Sequence, residues 1–152
     1  MASFYAAYDA IAEGLKEGIG VKPFITYHPP CCSEWGTAPP RTSLYFGDRE
    51  WLSMNMLQSS HFLDPKAFVK SNRFSFGWKA EFNYQPIFDE YRSEPIRPVI
   101  DGESRYENLR KDDFYLKKGS WASYDSRNSA YHSIFAGAAG HTYGDNSIYQ
   151  FF

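Results

Sequence analysis

Pro98-Val99-Ile100-Asp101-Gly102-Glu103 starts as an apolar run and turns ionisable within two residues. Val and Ile suit strands, and a short apolar core without polar alternation is the pattern of a strand covered on both faces, as in a parallel sheet. Asp and Glu resist burial, so the switch marks a rim. Three other segments make the same change: Pro23-Phe24-Ile25-Thr26-Tyr27-His28, Trp51 through His61, and Ala136 through His141. In a parallel α/β sheet such a rim forms at the carboxyl ends of the strands, where binding and catalytic groups gather.

Between these rims the spacing predicts alternating helices and strands. Phe4, Tyr8, Ile11 and Leu15 form one stripe of a helix over 2–17, with Gly18 and Gly20 ending it. A strand follows over 23–27. The stretch 29–48, with Pro29, Pro30, Pro39 and Pro40, reads as a long loop, and loops of that length in a compact domain are commonly functional. Trp51–Leu57 is expected to be a second strand. Within 62–95 a helix is expected over 80–92, limited or bent by Pro86. Arg97–Ile100 is the third strand. Residues 104–124 read as a polar loop, Asp125 as the N-cap of a helix carrying Ala130, Tyr131, Ile134, Phe135 and Ala138, and 140–144 as a last short strand. This order predicts parallel βα units. Four strands do not close a barrel, and a half barrel would keep unpaired edges, so the chain reads as one half of something larger.

Composition narrows the function. The 152 residues suit one domain but are few for an eight-strand barrel. The net charge is −2 without a run of Lys or Arg, which argues against a nucleic-acid partner. No apolar stretch is of membrane-spanning length, so no membrane partner is expected. The N-terminus lacks the basic and apolar segments of a signal peptide. Adjacent Cys31 and Cys32 cannot build a disulfide framework and read as free thiols. Aromatics make up 19% of the chain, compatible with core packing or with a groove for sugars.

Asp101 and Glu103 are the sharpest candidates for chemistry. Spaced two apart at a strand end, both side chains are expected to leave from one face, and a carboxylate held there can act as nucleophile or general acid/base. Glu103 reads as the reacting group and Asp101 as a holder beside it. His28, His61 and His141 each end a strand. They suit hydrogen bonds to substrate hydroxyls, or, without any His-x-x-x-His or Cys-x-x-Cys spacing in support, a zinc site. Asn55 and Gln58 are candidate hydrogen-bonding amides. Tyr106 and Glu107 follow Glu103 in one loop, and Trp35, Trp51 and Trp78 are candidate stacking rings. Ser126, Ser129 and Ser133 lack a nucleophile-elbow context, and no Gly-rich phosphate loop precedes a helix.

The segments 24–29, 51–61, 98–107 and 131–150 resemble the apiosidase-like glycoside hydrolases, and Ala136-Gly137-Ala138-Ala139-Gly140-His141-Thr142-Tyr143-Gly144 is the most specific of them. The resemblance covers nearly the whole chain. It implies a partial (β/α)8 TIM barrel, comprising about strands five to eight with their helices. It further implies that Glu103 is the catalytic glutamate, the nucleophile of a retaining mechanism. The partner would be an aspartate in a Gly-Gly-Asp motif at the end of strand four, upstream of the helix over 2–17. His28, Gln58, His61, Asp101, Tyr106, His141 and Tyr143 would line the sugar subsite. A carbohydrate substrate, no cofactor and no metal are expected, and the family suggests an exported protein. Relative to the family, Cys31-Cys32 replaces glycines, Ser104 a proline, Ser53 an acidic residue and Tyr149 a tryptophan. The region 62–80 is longer than usual.

The sequence thus reads as half of a glycosidase barrel acting on polysaccharide glycosidic bonds. A non-catalytic carbohydrate-binding protein is the rival reading, and a metal-dependent hydrolase a more distant one.

Overall fold

The computed structural model describes residues 2–29, 41–59, 83–111 and 119–151. Its elements in chain order are α1 (Ala2–Ile19), α2 (Ser43–Phe46), β1 (Asn55–Gln58), α3 (Tyr84–Tyr91), β2 (Val99–Glu103), α4 (Ser123–Phe135), β3 (Gly140–His141) and α5 (Asn146–Gln150). The three strands form a parallel sheet in the order β1-β2-β3. A parallel bridge between Ile25 and Leu52 adds the first apolar run to the edge next to β1. All four rim segments therefore lie side by side and run the same way. Consecutive parallel strands with helices between them follow the βα rule.

Local chemistry explains most boundaries. α1 passes through Gly18 and stops at Gly20, whose φ of 78° is easy only for glycine. Its amide bonds to the Lys16 carbonyl at 2.9 Å. Pro86 neither limits nor bends α3. It is the third residue of that helix, in the first turn, where amides have no partner within the helix and a missing N–H costs nothing. The 29–48 stretch is not loop throughout, because α2 occupies 43–46. The second and third strands begin later than their apolar residues suggest, and β2 carries Asp101-Gly102-Glu103 within it.

α4 corrects the sequence reading twice. Its N-cap is Ala122, and Asp125 lies in the first turn, where its Oδ2 accepts from the Ala122 amide at 2.9 Å. This is the backward half of a capping box. Its buried face is not the apolar one: Ser126, Ser129 and Ser133 are buried, whereas Tyr131, Ile134 and Phe135 are exposed. The serines recur at helical spacing and turn toward the sheet. α1 uses only half its stripe, since Phe4 and Tyr8 pack on Phe46 while Ile11 and Leu15 stay exposed.

Two apolar clusters hold the layers. Leu57, Ile87, Val99 and Ala138 form a buried core between the sheet and its helices. Phe46, fully buried, is ringed by Phe4, Tyr5, Tyr8, Tyr27, Tyr45 and Trp51 at centroid distances of 4.9–6.4 Å. Arg97 clamps the chain just before β2: Nε donates to the Leu52 carbonyl at 2.9 Å, Nη1 to Gly47 at 2.9 Å and Nη2 to Arg49 at 3.1 Å. Thr42 ties the first run to β1, its hydroxyl donating to the Tyr27 carbonyl at 2.7 Å and accepting from the Met56 amide at 3.1 Å.

Candidate active site

β2 decides the site through one irregularity. Asn55 pairs with Val99, Met56 with Ile100 and Leu57 with Asp101, but Gln58 pairs with Glu103, so Gly102 is extra on β2. Side chains alternate faces along a strand, and an inserted residue re-aims the one that follows it. Asp101 and Glu103 consequently do not leave from one face, contrary to the expectation from their spacing. Asp101 shares the buried face of Val99, and Glu103 joins the face of Gln58. Gly102 has no side chain for a physical reason: a Cβ there would lie 2.7 Å from Met56 Cγ and Sδ.

Glu103 sits at the carboxyl end of β2 with its side chain 24% exposed, and His28 Nε2 lies 3.3 Å from its Oε2. Tyr106 bonds to the same carboxylate. Burial, then the Glu103 charge and the hydrogen bond to it, push the Tyr106 hydroxyl up to about 12. Gly144 makes room for this ring, because a Cβ there would run into it. Tyr149 closes edge-on to Tyr106 at 5.7 Å. Tyr143, exposed, donates its hydroxyl to Glu107 Oε2 at 2.8 Å, and that bond raises the Tyr143 pKa. The loop after β2 is pinned to the segment after β3 by backbone bonds from Glu107 N to Gly144 O (2.9 Å) and from Asn146 N to Glu107 O (2.8 Å).

Asp101 is fully buried. Its Oδ2 accepts from Ser133 Oγ at 2.7 Å, from Ser59 Oγ at 3.0 Å and from Asn83 Nδ2 at 3.5 Å. Asn83 in turn donates to Ser133 Oγ and the Ser129 carbonyl, and its Oδ1 faces His132 Nδ1 at 3.2 Å. His141 faces this group rather than open space. Its side chain is 10% exposed, Nδ1 lies 3.8 Å from Asp101 Oδ2, and Nε2 lies 3.5 Å from Ser104 Oγ.

Of the residues the sequence singled out, His28 and Tyr106 meet at the Glu103 carboxylate, with Gln58 paired beside Glu103 in the sheet and Tyr143 on the neighbouring loop. Asp101 and His141 form a second, buried group behind β2. Asn55 lies on the buried face of β1, away from the rim. Trp51 is a packing residue whose Nε1 donates to Asp9 at 2.7 Å. His61, Cys31, Cys32, Trp35, Trp78 and the region 62–80 lie outside the described residues. Among the described residues no three His, Cys, Asp or Glu side chains gather as metal ligands do. His28 and His141 serve different carboxylates. Sequence reasoning missed Asn83, Ser59 and His132, and passed over Ser129 and Ser133 because it weighed them only as nucleophiles. A serine recurring at helical spacing was the available signal.

Comparison with known proteins identifies the family. The model of the apiosidase-like catalytic domain matches residues 2–152. The chain belongs to the apiosidase-like family. A solved glycoside hydrolase superposes with a TM-score of 0.66 at 35% identity over 74% of this chain. A glycoside hydrolase family 5 protein from Bacteroides vulgatus does so with a TM-score of 0.65 at 34% identity, again over 74%. The match spans 25% and 24% of those two chains, so this chain corresponds to about a quarter of their length. No curated protein matches it. The parallel sheet with its helices is consistent with part of a TIM barrel.

Proposed function

We propose that the chain supplies strands five to eight of a glycosidase barrel and that Glu103 is its nucleophile. The observation that carries this reading is the setting of Glu103: a partly exposed carboxylate at the carboxyl end of a parallel strand, flanked by His28 and the Tyr106 hydroxyl. Donors on a carboxylate favour its ionised form, the form that attacks an anomeric carbon. In a retaining mechanism Glu103 would form a covalent glycosyl intermediate. A second carboxyl group about 5–5.5 Å away would protonate the leaving oxygen and then activate water. By family resemblance that second group is the Gly-Gly-Asp aspartate of strand four, outside this chain.

Ile11, Leu15, Ile19 and Phe24 are exposed among the described residues, which supports a companion half that would cover them. His28, Gln58 and Tyr106 would hold sugar hydroxyls or orient the carboxylate, and polysaccharide side chains are the substrate class that the family suggests. The test joins the chain to strands completing the barrel and assays a panel of glycosides. Activity that disappears in Glu103→Gln supports the reading. Activity that survives this substitution contradicts it, and a completed barrel that binds sugars without cleaving them favours the carbohydrate-binding rival.

A further inference from the structure

We propose that Asp101, His141 and Ser104 form a buried relay that positions Glu103, with Asp101 fixing the tautomer of His141. The proposal rests on the glycosidase reading for its purpose but not for its geometry. Within this Asp101–His141 pair two buried polar atoms, Asp101 Oδ1 and His141 Nδ1, have no hydrogen-bond partner among the described residues. An unpaired buried polar atom costs about 1–3 kcal/mol, so two on one pair mark a contact that the fold holds ready. The separation of 3.8 Å between Nδ1 and Oδ2 is the loose geometry that unliganded sites tighten on binding.

The chemistry fixes the direction of the relay. An ionised carboxylate only accepts, whereas a neutral imidazole has one N–H and one bare nitrogen. The nitrogen facing Asp101 therefore carries the proton, and Nε2 is left bare toward Ser104 Oγ, which donates to it. Ser133 and Ser59 hold Asp101 Oδ2 from α4 and from the end of β1, so the carboxylate cannot turn away. Ser104 directly follows Glu103, and the relay thereby links β3 to the backbone that aims the nucleophile. The order carboxylate, imidazole, hydroxyl matches a serine hydrolase triad, but Ser104 is 1% exposed and cannot reach a substrate. His141 and Asp101 are positioning residues.

Long-range proton–nitrogen NMR on the full chain without ligand reads the His141 tautomer directly. A proton on Nδ1 with Nε2 bare is expected; a proton on Nε2 overturns the proposal. In Asp101→Asn the amide oxygen takes the serine donors and the NH2 turns to His141, so the tautomer should switch, and an unchanged tautomer overturns it. In the completed, active barrel this variant should lose about 10²-fold in kcat with KM within about twofold. If Asp101→Asn does not fold, Ser104→Ala decides. It should keep the tautomer and lose about tenfold in kcat, while an unchanged kcat, or a loss confined to KM, counts against the relay. The tautomer is read without catalysis, so its failure leaves the role of Glu103 untouched, and Glu103→Gln tests that role by itself.

Discussion

The two ends of β2 each carry a charged residue, and the two are used in opposite ways. Arg97, just before the strand, spends its guanidinium on three backbone carbonyls and holds the turns from Gly47 to Leu52. Glu103, at the far end, is partly open and touches side chains that could yield to a ligand. In barrels of parallel strands the amino-terminal face serves stability and the carboxyl-terminal face chemistry. The role proposed for Glu103 would place that division within one strand. An open cavity of about 500 Å³, lined by Tyr5, Tyr45, Arg49 and Glu94, lies toward the Arg97 end.

Substitutions can break this contrast. Glu103→Gln should lower kcat of the completed barrel on the order of 10³-fold while shifting stability by less than about 0.5 kcal/mol, as read by glycoside hydrolysis and urea unfolding. Arg97→Ala should do the reverse. It frees three carbonyls and should cost about 3 kcal/mol, with kcat of the folded fraction unchanged. A catalytic loss at Arg97, or a large stability loss at Glu103, would erase the distinction between the ends.

Two smaller effects sharpen it. The phenol absorbance of wild type minus Tyr106→Phe should titrate near 12, and a midpoint near 10 would mean that Tyr106 does not meet Glu103. Because its folded value is raised, the stability it lends is complete below the unfolded value of 10.0 and is lost as pH climbs toward 12. Asp125 behaves oppositely. Burial alone would raise its carboxyl, but the Ala122 amide and the Lys111 ammonium at 3.1 Å bring it below 3.8. Asp125→Asn should cost about 1 kcal/mol at neutral pH, and the difference from wild type should fade as pH falls below 3.8. A difference that persists in acid would mean that charge is not what Asp125 supplies.

The sequence and the structure agree where burial sorts residues simply. The Val99-Ile100 run and the Ile25 and Leu57 segments all fall on a parallel sheet, because an apolar run in a covered strand has few other places to go. They part where polar groups are buried in pairs. In α4 the serines face inward and the aromatic residues outward, since Asp101 needs hydroxyl donors, and a periodicity argument that follows only the apolar residues picks the opposite face. From their spacing Glu103 and Asp101 are expected to share a face, and the extra Gly102 separates them. A bulge is a property of two strands in register, and neither strand shows it alone.

The assignment of Glu103 as nucleophile is tested most directly by trapping. The completed barrel, inactivated with a panel of 2-fluoro glycosides bearing good leaving groups, is digested and its peptides weighed. The account expects the glycosyl mass on the peptide containing Glu103, and none in Glu103→Gln. A label on another carboxylate, or turnover that inverts the anomeric centre without any trapped sugar, would contradict it.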